Sequence, residues 1–297
     1  MRVTCSRVKS FTRSLAVVAA GLILATVGPA LATTIEFVPV TGPNLGANYQ
    51  MGKYEISNAE WDEVMGGTSG IANMPKVYIS LLDAAEFVNN LNLAEGSVEA
   101  YTFLTGGVSS SGLAISPNHD GTNQFRNKDA AYWIPTEAEF EDAANWNGSS
   151  LTTYANGTSA APTHSDANFQ GGIGSAWAVG SGTIEQNGTF DMNGNVAEWL
   201  EDDTNTVYAA SGPGENHQTQ GGAFHLGTYA MPYTFDWVYH QSDTAYYDWA
   251  GFRIATNAEQ SGGGGGGNPA VPEPSTLALL GVAMLGMMGL IRRRRNG

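Results

Sequence analysis

Three short stretches decide where this chain can be helical: Ser57-Asn58-Ala59-Glu60, Ser80-Leu81-Leu82-Asp83 and Thr136-Glu137-Ala138-Glu139. In each, a hydroxyl stands three residues ahead of a carboxylate, so the hydroxyl can accept the N–H of the first turn while the carboxylate reaches back to the N–H of the cap. The second start is followed by Leu81, Ala84, Ala85, Val88 and Leu91, a three-and-four spacing that predicts one buried helix face. Strand-like runs are short: Ile35 to Val40, Tyr49 to Ile56, Tyr101 to Leu104, Tyr132 to Ile134 and Gly251 to Ala255. Long segments rich in Gly, Ser, Asn and Thr separate them. The pattern is too scattered for a propeller or a doubly wound sheet and predicts an irregular α+β domain, with an all-β sandwich as the alternative.

The two ends are apolar for another reason. Arg2, Arg7, Lys9 and Arg13 precede an apolar run from Leu15 to Val27, and Ala30-Leu31-Ala32 follows it. That order is the pattern of a secretory signal peptide, so residues 1–32 are expected to be removed and the mature chain to begin near Thr33. At the other end, Val271-Pro272-Glu273-Pro274-Ser275-Thr276 is followed by apolar residues 277–291 and then Arg292 to Arg295. This tail resembles the bacterial PEP-CTERM sorting signal, which implies recognition and cutting by a membrane exosortase after export through the general secretory machinery. Its fifteen apolar residues fall short of the roughly 20 that span a bilayer, so the segment is expected to serve as a transient or short membrane anchor; an ordinary C-terminal anchor is the alternative. A glycine-rich linker, residues 261–270, separates the tail at 271–297 from a folded domain at 33–260.

Once both ends are set aside, the charge becomes one-sided. The chain has 28 acidic and 13 basic residues, and eight of the basic ones lie in the two ends, leaving Lys53, Lys76, Arg126, Lys128 and Arg253. So acidic a surface repels phosphate backbones, which excludes nucleic acid as a partner. The single cysteine, Cys5, lies in the signal peptide. The mature domain therefore has no disulfide, no thiolate metal site and no cysteine nucleophile.

Six motifs follow one another through the body. They are Met51-Gly52-Lys53-Tyr54-Glu55-Ile56-Ser57-Asn58, Val77-Tyr78-Ile79-Ser80-Leu81-Leu82-Asp83-Ala84-Ala85, Tyr132-Trp133-Ile134-Pro135-Thr136-Glu137-Ala138-Glu139-Phe140-Glu141, Asp191-Met192-Asn193-Gly194-Asn195-Val196-Ala197-Glu198-Trp199, Gly221-Gly222-Ala223-Phe224 and Gly251-Phe252-Arg253. In this order, over roughly residues 37–255, they resemble the formylglycine-generating enzyme (sulfatase-modifying factor) family. The resemblance implies a compact fold related to C-type lectin-like domains, low in regular secondary structure and often stabilised by calcium. Read as side chains, Trp133, Phe140, Trp199 and Phe252 are core fillers. Glu139 is a cap partner, Glu137 an acid favoured by the helix dipole and Glu141 a solvent-facing residue, so none is expected to be catalytic.

The chemistry that names the family is expected to be missing. The resemblance implies oxidation of a client cysteine by oxygen at a copper-binding pair of cysteines shortly after the Gly-Gly motif, where this chain has Leu226 and Met231. Leucine cannot ligate a metal, and soft-ligand copper chemistry needs thiolates, so copper is not expected. Gln220 replaces the basic residue that usually precedes Gly-Gly, and Ala197 replaces the motif tryptophan. His217, His225 and His240 have no local spacing that would gather them, so each is expected to be an ordinary histidine. There is no Gly-rich phosphate loop, no Gly-x-Ser-x-Gly elbow and no His-Glu-x-x-His.

Calcium is the cofactor that the resemblance does imply. Carbonyls of Asn193, Gly194 and Val196 with the carboxylate of Glu198 would wrap one ion with hard oxygen donors, although Asn-Gly chemistry alone also makes a turn here. Asn168 and Phe169 match the carbonyl pair of a second calcium site, but residues 170–179 hold no aspartate to complete it. The expected function is an exported, non-catalytic binding module at the bacterial cell surface, envelope or extracellular matrix, with extracellular polysaccharide or a surface protein as partner. The alternative is an oxidoreductase of the formylglycine-generating type with a metal site that uses no cysteine.

Overall fold

The computed structural model describes residues 35–44, 49–104, 112–121, 123–203, 216–232 and 241–257. The expected signal peptide, the glycine linker, the sorting tail and His240 lie outside them. Among the described residues no helix is long and apolar enough to cross a membrane.

All three capping boxes form. Helix α1 is Asn58–Met65, α2 is Leu81–Ala94 and α3 is Glu137–Asn145. In α3 the Glu139 N–H donates to Thr136 Oγ1 at 3.1 Å while the Thr136 N–H donates to Glu139 Oε2 at 2.7 Å. The same exchange caps α1 through Ser57 and Glu60 and α2 through Ser80 and Asp83. The face expected of α2 is buried and is wider than the spacing indicates, because Leu82 and Phe87 are buried with it. Phe87 stacks on Trp61 of α1 at 5.5 Å and meets Phe252 edge-on at 5.3 Å. Trp133, Phe140, Trp199 and Phe252 are all buried, as their chemistry requires.

Among the described residues, the strands β1 (Phe37–Val40), β2 (Tyr49–Gly52), β3 (Thr102–Phe103), β4 (Leu113–Ala114), β5 (Tyr132–Trp133), β6 (Ala197–Asp203), β7 (Asn216–Gln220), β8 (Gln241–Ser242), β9 (Ala250–Gly251) and β10 (Ala255–Asn257) make three sheets. One has the order β1-β2-β10-β5, one is the pair β3-β4, and the third runs β8-β7-β6-β9 with β6 and β9 parallel. With three helices packed among them this is an α+β fold of short elements. The single strand expected over residues 251–255 is divided between two sheets. Its middle crosses from one to the other while Phe252 O accepts Ile56 N–H at 2.8 Å and Ile254 O accepts Gly52 N–H at 2.7 Å. The pairing of β6 with β7 departs from the expected strands, because polar residues occupy both faces of the segments that form it.

Candidate functional site

The Asp191–Val196 turn and the Gly221-Gly222 turn lock together by close backbone approach. Gly194 has φ +89°, and a Cβ there would lie 2.4 Å from Asn168 O. Gly221 has φ +95°, and a Cβ there would lie 2.7 Å from Met192 O. Only glycine fits such positions. The Gly194 N–H donates to Gly221 O at 2.8 Å, Asn195 N–H to Asn168 O at 2.8 Å and Phe224 N–H to Asn195 O at 2.9 Å. Asp191 and Asn195 also have positive φ, 59° and 55°. Two motifs distant in sequence thus become one loop assembly, joined to residues 168–170 by the bond from Gln170 N–H to Leu226 O at 2.8 Å.

The positions at which the family resemblance puts copper cysteines flank a 3-10 turn, Thr228–Ala230. Met231 is buried, Leu226 is half-buried, and the Asn193 amide donates to Met231 O at 3.2 Å. His217 and His225 are in different surroundings. His217 is fully buried on β7, and its Nδ1 lies 2.7 Å from Asp243 Oδ1. His225 is exposed, with its ring 5.7 Å from that of Trp249. Among the described residues no trio of His, Cys, Asp or Glu side chains is placed to hold a metal ion.

Beneath the turn lies a buried ionic cluster that motif reading did not reveal. Arg253, expected only as the end of Gly-Phe-Arg, is fully buried and grips Glu198 with both edges, Nε to Oε2 at 2.5 Å and Nη2 to Oε1 at 2.6 Å. Its Nη1 donates to Gly52 O and its Nη2 to Phe190 O. The Asn195 amide donates to Glu55 Oε1 at 2.7 Å, whereas Glu55 Oε2 is buried with no hydrogen-bond partner. Asp191 accepts Trp177 Nε1–H and Gly180 N–H. Burial is the main force on all three acids: it raises Glu55 well above, and Asp191 and Glu198 above, the ordinary carboxylate range, against the pull of Arg253. Arg253 itself is pushed up, because Glu198, Glu55 and Glu185 outweigh the effect of its burial.

The calcium candidates are distributed over this assembly. Asn193, Gly194 and Val196 are buried in the turn, and Glu198 follows at the start of β6. Asn168 is also buried; its amide donates to Ser175 O, and its Oδ1 has no hydrogen-bond partner. Phe169 stacks on His164, with ring centroids 3.9 Å apart.

A second network ties α3 to β6. Arg126 holds Glu139 through both nitrogens at 3.0 and 2.8 Å and also contacts Glu201, which accepts the Tyr101 hydroxyl at 2.6 Å. Trp133 Nε1–H completes the shell around Glu139. Glu139 is therefore an ion-pair partner as well as a cap. Burial holds Glu201 up at about 7. Glu141 differs from expectation: it is half-buried, and burial, aided by Glu137 and Asp142, lifts it to about 7.

The fold and the paired turns define an α+β domain of the sulfatase-modifying type. The model of the sulfatase-modifying factor enzyme 1-like domain matches residues 8–258, and the chain belongs to that family. The PEP-CTERM protein-sorting motif matches residues 270–295; it marks the protein for the bacterial cell surface or envelope and implies an exosortase as its sorting partner. Solved structures share the fold. Treponema denticola variable protein 1 is 20% identical with a TM-score of 0.55, over 76% of this chain and 93% of its own. CarF is 19% identical with a TM-score of 0.55, over 75% and 98%. PvdO from Pseudomonas aeruginosa is 16% identical with a TM-score of 0.50, over 75% and 92%. No curated protein matches the chain.

Proposed function

We propose that this protein is a non-catalytic binding module of the sulfatase-modifying factor family, held at the cell surface or in the extracellular matrix, with polysaccharide as its partner. The observation that carries the reading is the replacement at the former oxidative centre: Leu226 and a buried Met231 stand where the family resemblance puts thiolates, in a chain whose one cysteine is Cys5. A leucine supplies no ligand and a lone thioether does not assemble the copper site, so the loops keep a shape without its redox centre. Acidity narrows the partner further, because a chain with 28 acidic against 13 basic residues would repel an anionic polymer.

Calcium belongs to the same proposal. Asn193, Gly194 and Val196 would offer carbonyls, Glu198 a carboxylate, and Asn168 with Phe169 a further oxygen pair. One feature supports the fit, the buried Asn168 Oδ1 without a partner; against it, both oxygens of Glu198 accept from Arg253, so Glu198 would have to exchange that ion pair for the metal. A bound divalent ion would tie the carbonyls of the turn together and hold it rigid.

The test is co-sedimentation of the purified protein with polysaccharide isolated from the surface of its own host. Retention that survives high salt and is competed by soluble polymer supports the proposal. Recovery of the protein wholly in the supernatant, at polymer concentrations that retain a known polysaccharide-binding control, rejects it.

A further inference from the structure

A cavity of about 280 Å³ opens beside the Asn193 turn. Its floor is made by Pro162, Ala167 and Asn193, all buried; its rim is made by Asn156, Thr183 and Ile184, all exposed. Asp166 and Glu185 complete the wall, and no basic residue lines it. The volume is at the small end for ligand pockets, the size for one ring rather than an extended chain.

The polar walls are fixed before any ligand arrives. Asp166 Oδ2 accepts Thr163 N–H at 2.8 Å and the Thr163 hydroxyl at 2.7 Å, and its Oδ1 accepts the Thr183 hydroxyl at 3.2 Å. Glu185 Oε1 accepts Asn193 N–H at 3.3 Å, while its Oε2 accepts the Thr189 hydroxyl at 2.9 Å and Met192 N–H at 3.3 Å. The Asn193 side chain is held from both ends, its Oδ1 by Ala155 N–H and its amide by the carbonyls of Met192 and Met231. A carboxylate oxygen has capacity for two donors, so Asp166 Oδ1 and Glu185 Oε1 each retain one acceptor position. Two fixed acceptors with amide and hydroxyl neighbours suit a ligand bearing adjacent hydroxyl donors. Pro162, Ala167 and Ile184 offer the apolar contact that the C–H face of such a ring requires.

We infer that this cavity is a subsite for a single non-acidic hexose unit, an inference that rests on the polysaccharide-binding function proposed above and locates it. An acidic sugar is disfavoured because its carboxylate would face Asp166, which its hydrogen bonds from Thr163 keep ionised, with no cation in the wall to receive it.

Isothermal titration of the full-length chain in mild detergent compares a neutral glucose tetramer, a glucosamine tetramer and a tetramer of uronic acid. The expected result is binding of either non-acidic tetramer and at least tenfold weaker binding of the uronate. Ile184→Arg alters an exposed rim position, 59% accessible, and leaves the core untouched. It is expected to weaken the non-acidic tetramers tenfold or more with an unchanged melting temperature, and Asn156→Lys on the same rim is expected to do likewise. Equal affinity for uronate and neutral tetramers overturns the inference. If host polysaccharide is retained equally by wild type and both rim variants, the cavity is not the site while the binding function stands. If no polysaccharide and no tetramer binds, both readings fall.

Discussion

Arg253→Met is the substitution that most directly probes how this fold is held together. The side chain is fully buried, makes two short charge-assisted bonds to Glu198, and donates to two backbone carbonyls on separate segments, Gly52 and Phe190. Methionine fills much of the volume but leaves Glu198 buried without its cation and both carbonyls without their guanidinium donors. Breaking one side of a buried ion pair costs about 3–5 kcal/mol. With a urea dependence of about 2 kcal/mol per molar, the midpoint falls by roughly 2 M. The loss is also pH-dependent, with a definite sign. Burial raises Glu55, Asp191 and Glu198 above their unfolded values, so the native state binds protons more tightly than the unfolded chain. The stability they contribute is complete below the unfolded carboxylate range, near pH 4, and is lost as pH rises through the raised native values. Without Arg253 those values rise further, so the deficit must be larger at pH 8 than at pH 5. Urea unfolding followed by the fluorescence of the buried Trp133 and Trp199 reads both effects. A midpoint shift below about 0.5 M at pH 8, by the same conversion, or a deficit that shrinks as pH rises, refutes this account of the cluster.

Gly194→Ala puts a methyl group 2.4 Å from Asn168 O at φ +89°, so it should lower stability by more than about 2 kcal/mol or abolish folding; a melting curve like wild type would contradict the interlocked turns. Tyr101→Phe removes the donor to Glu201 Oε2 and the acceptor of Ile134 N–H, and should cost about 2–3 kcal/mol in urea unfolding. For protein stripped of metal, added calcium should raise the melting temperature, and Glu198→Gln should remove most of that rise; superimposable curves with calcium and with chelator would return residues 193–198 to a turn without an ion.

How much could be read in advance differed by element for physical reasons. Helix starts were legible because a capping box is local: Ser57, Ser80 and Thr136 need only the residue three positions on. The apolar face of α2 was legible for the same reason, since its period is written within fourteen residues. Strand β10 was harder, because nothing local in Gly251 to Ala255 tells that the segment leaves one sheet for another at Phe252. The β6–β7 pair was hidden because Glu198, Glu201, His217 and Thr219 are polar and yet buried, which reverses the usual alternation. At the site, the glycine turns could be located from motifs. The ionic cluster could not, because Glu55, Asp191, Glu198 and Arg253 come from positions separated by as much as 198 residues, and only the fold makes them neighbours. The one available signal was that Arg253 is among five basic residues left in the body, which makes its placement in a motif dominated by Phe252 informative.

The measurement that bears most directly on the central claim is a product assay. A client peptide of the form Cys-x-Pro-x-Arg is incubated with the purified protein, copper and oxygen, and the aldehyde is quantified by mass spectrometry after hydrazide capture. Because the one cysteine, Cys5, lies outside the domain, no aldehyde above a protein-free control is predicted. Catalytic formation of formylglycine, repeated over several turnovers, would contradict the account and show that this domain keeps an oxidative centre built without cysteine.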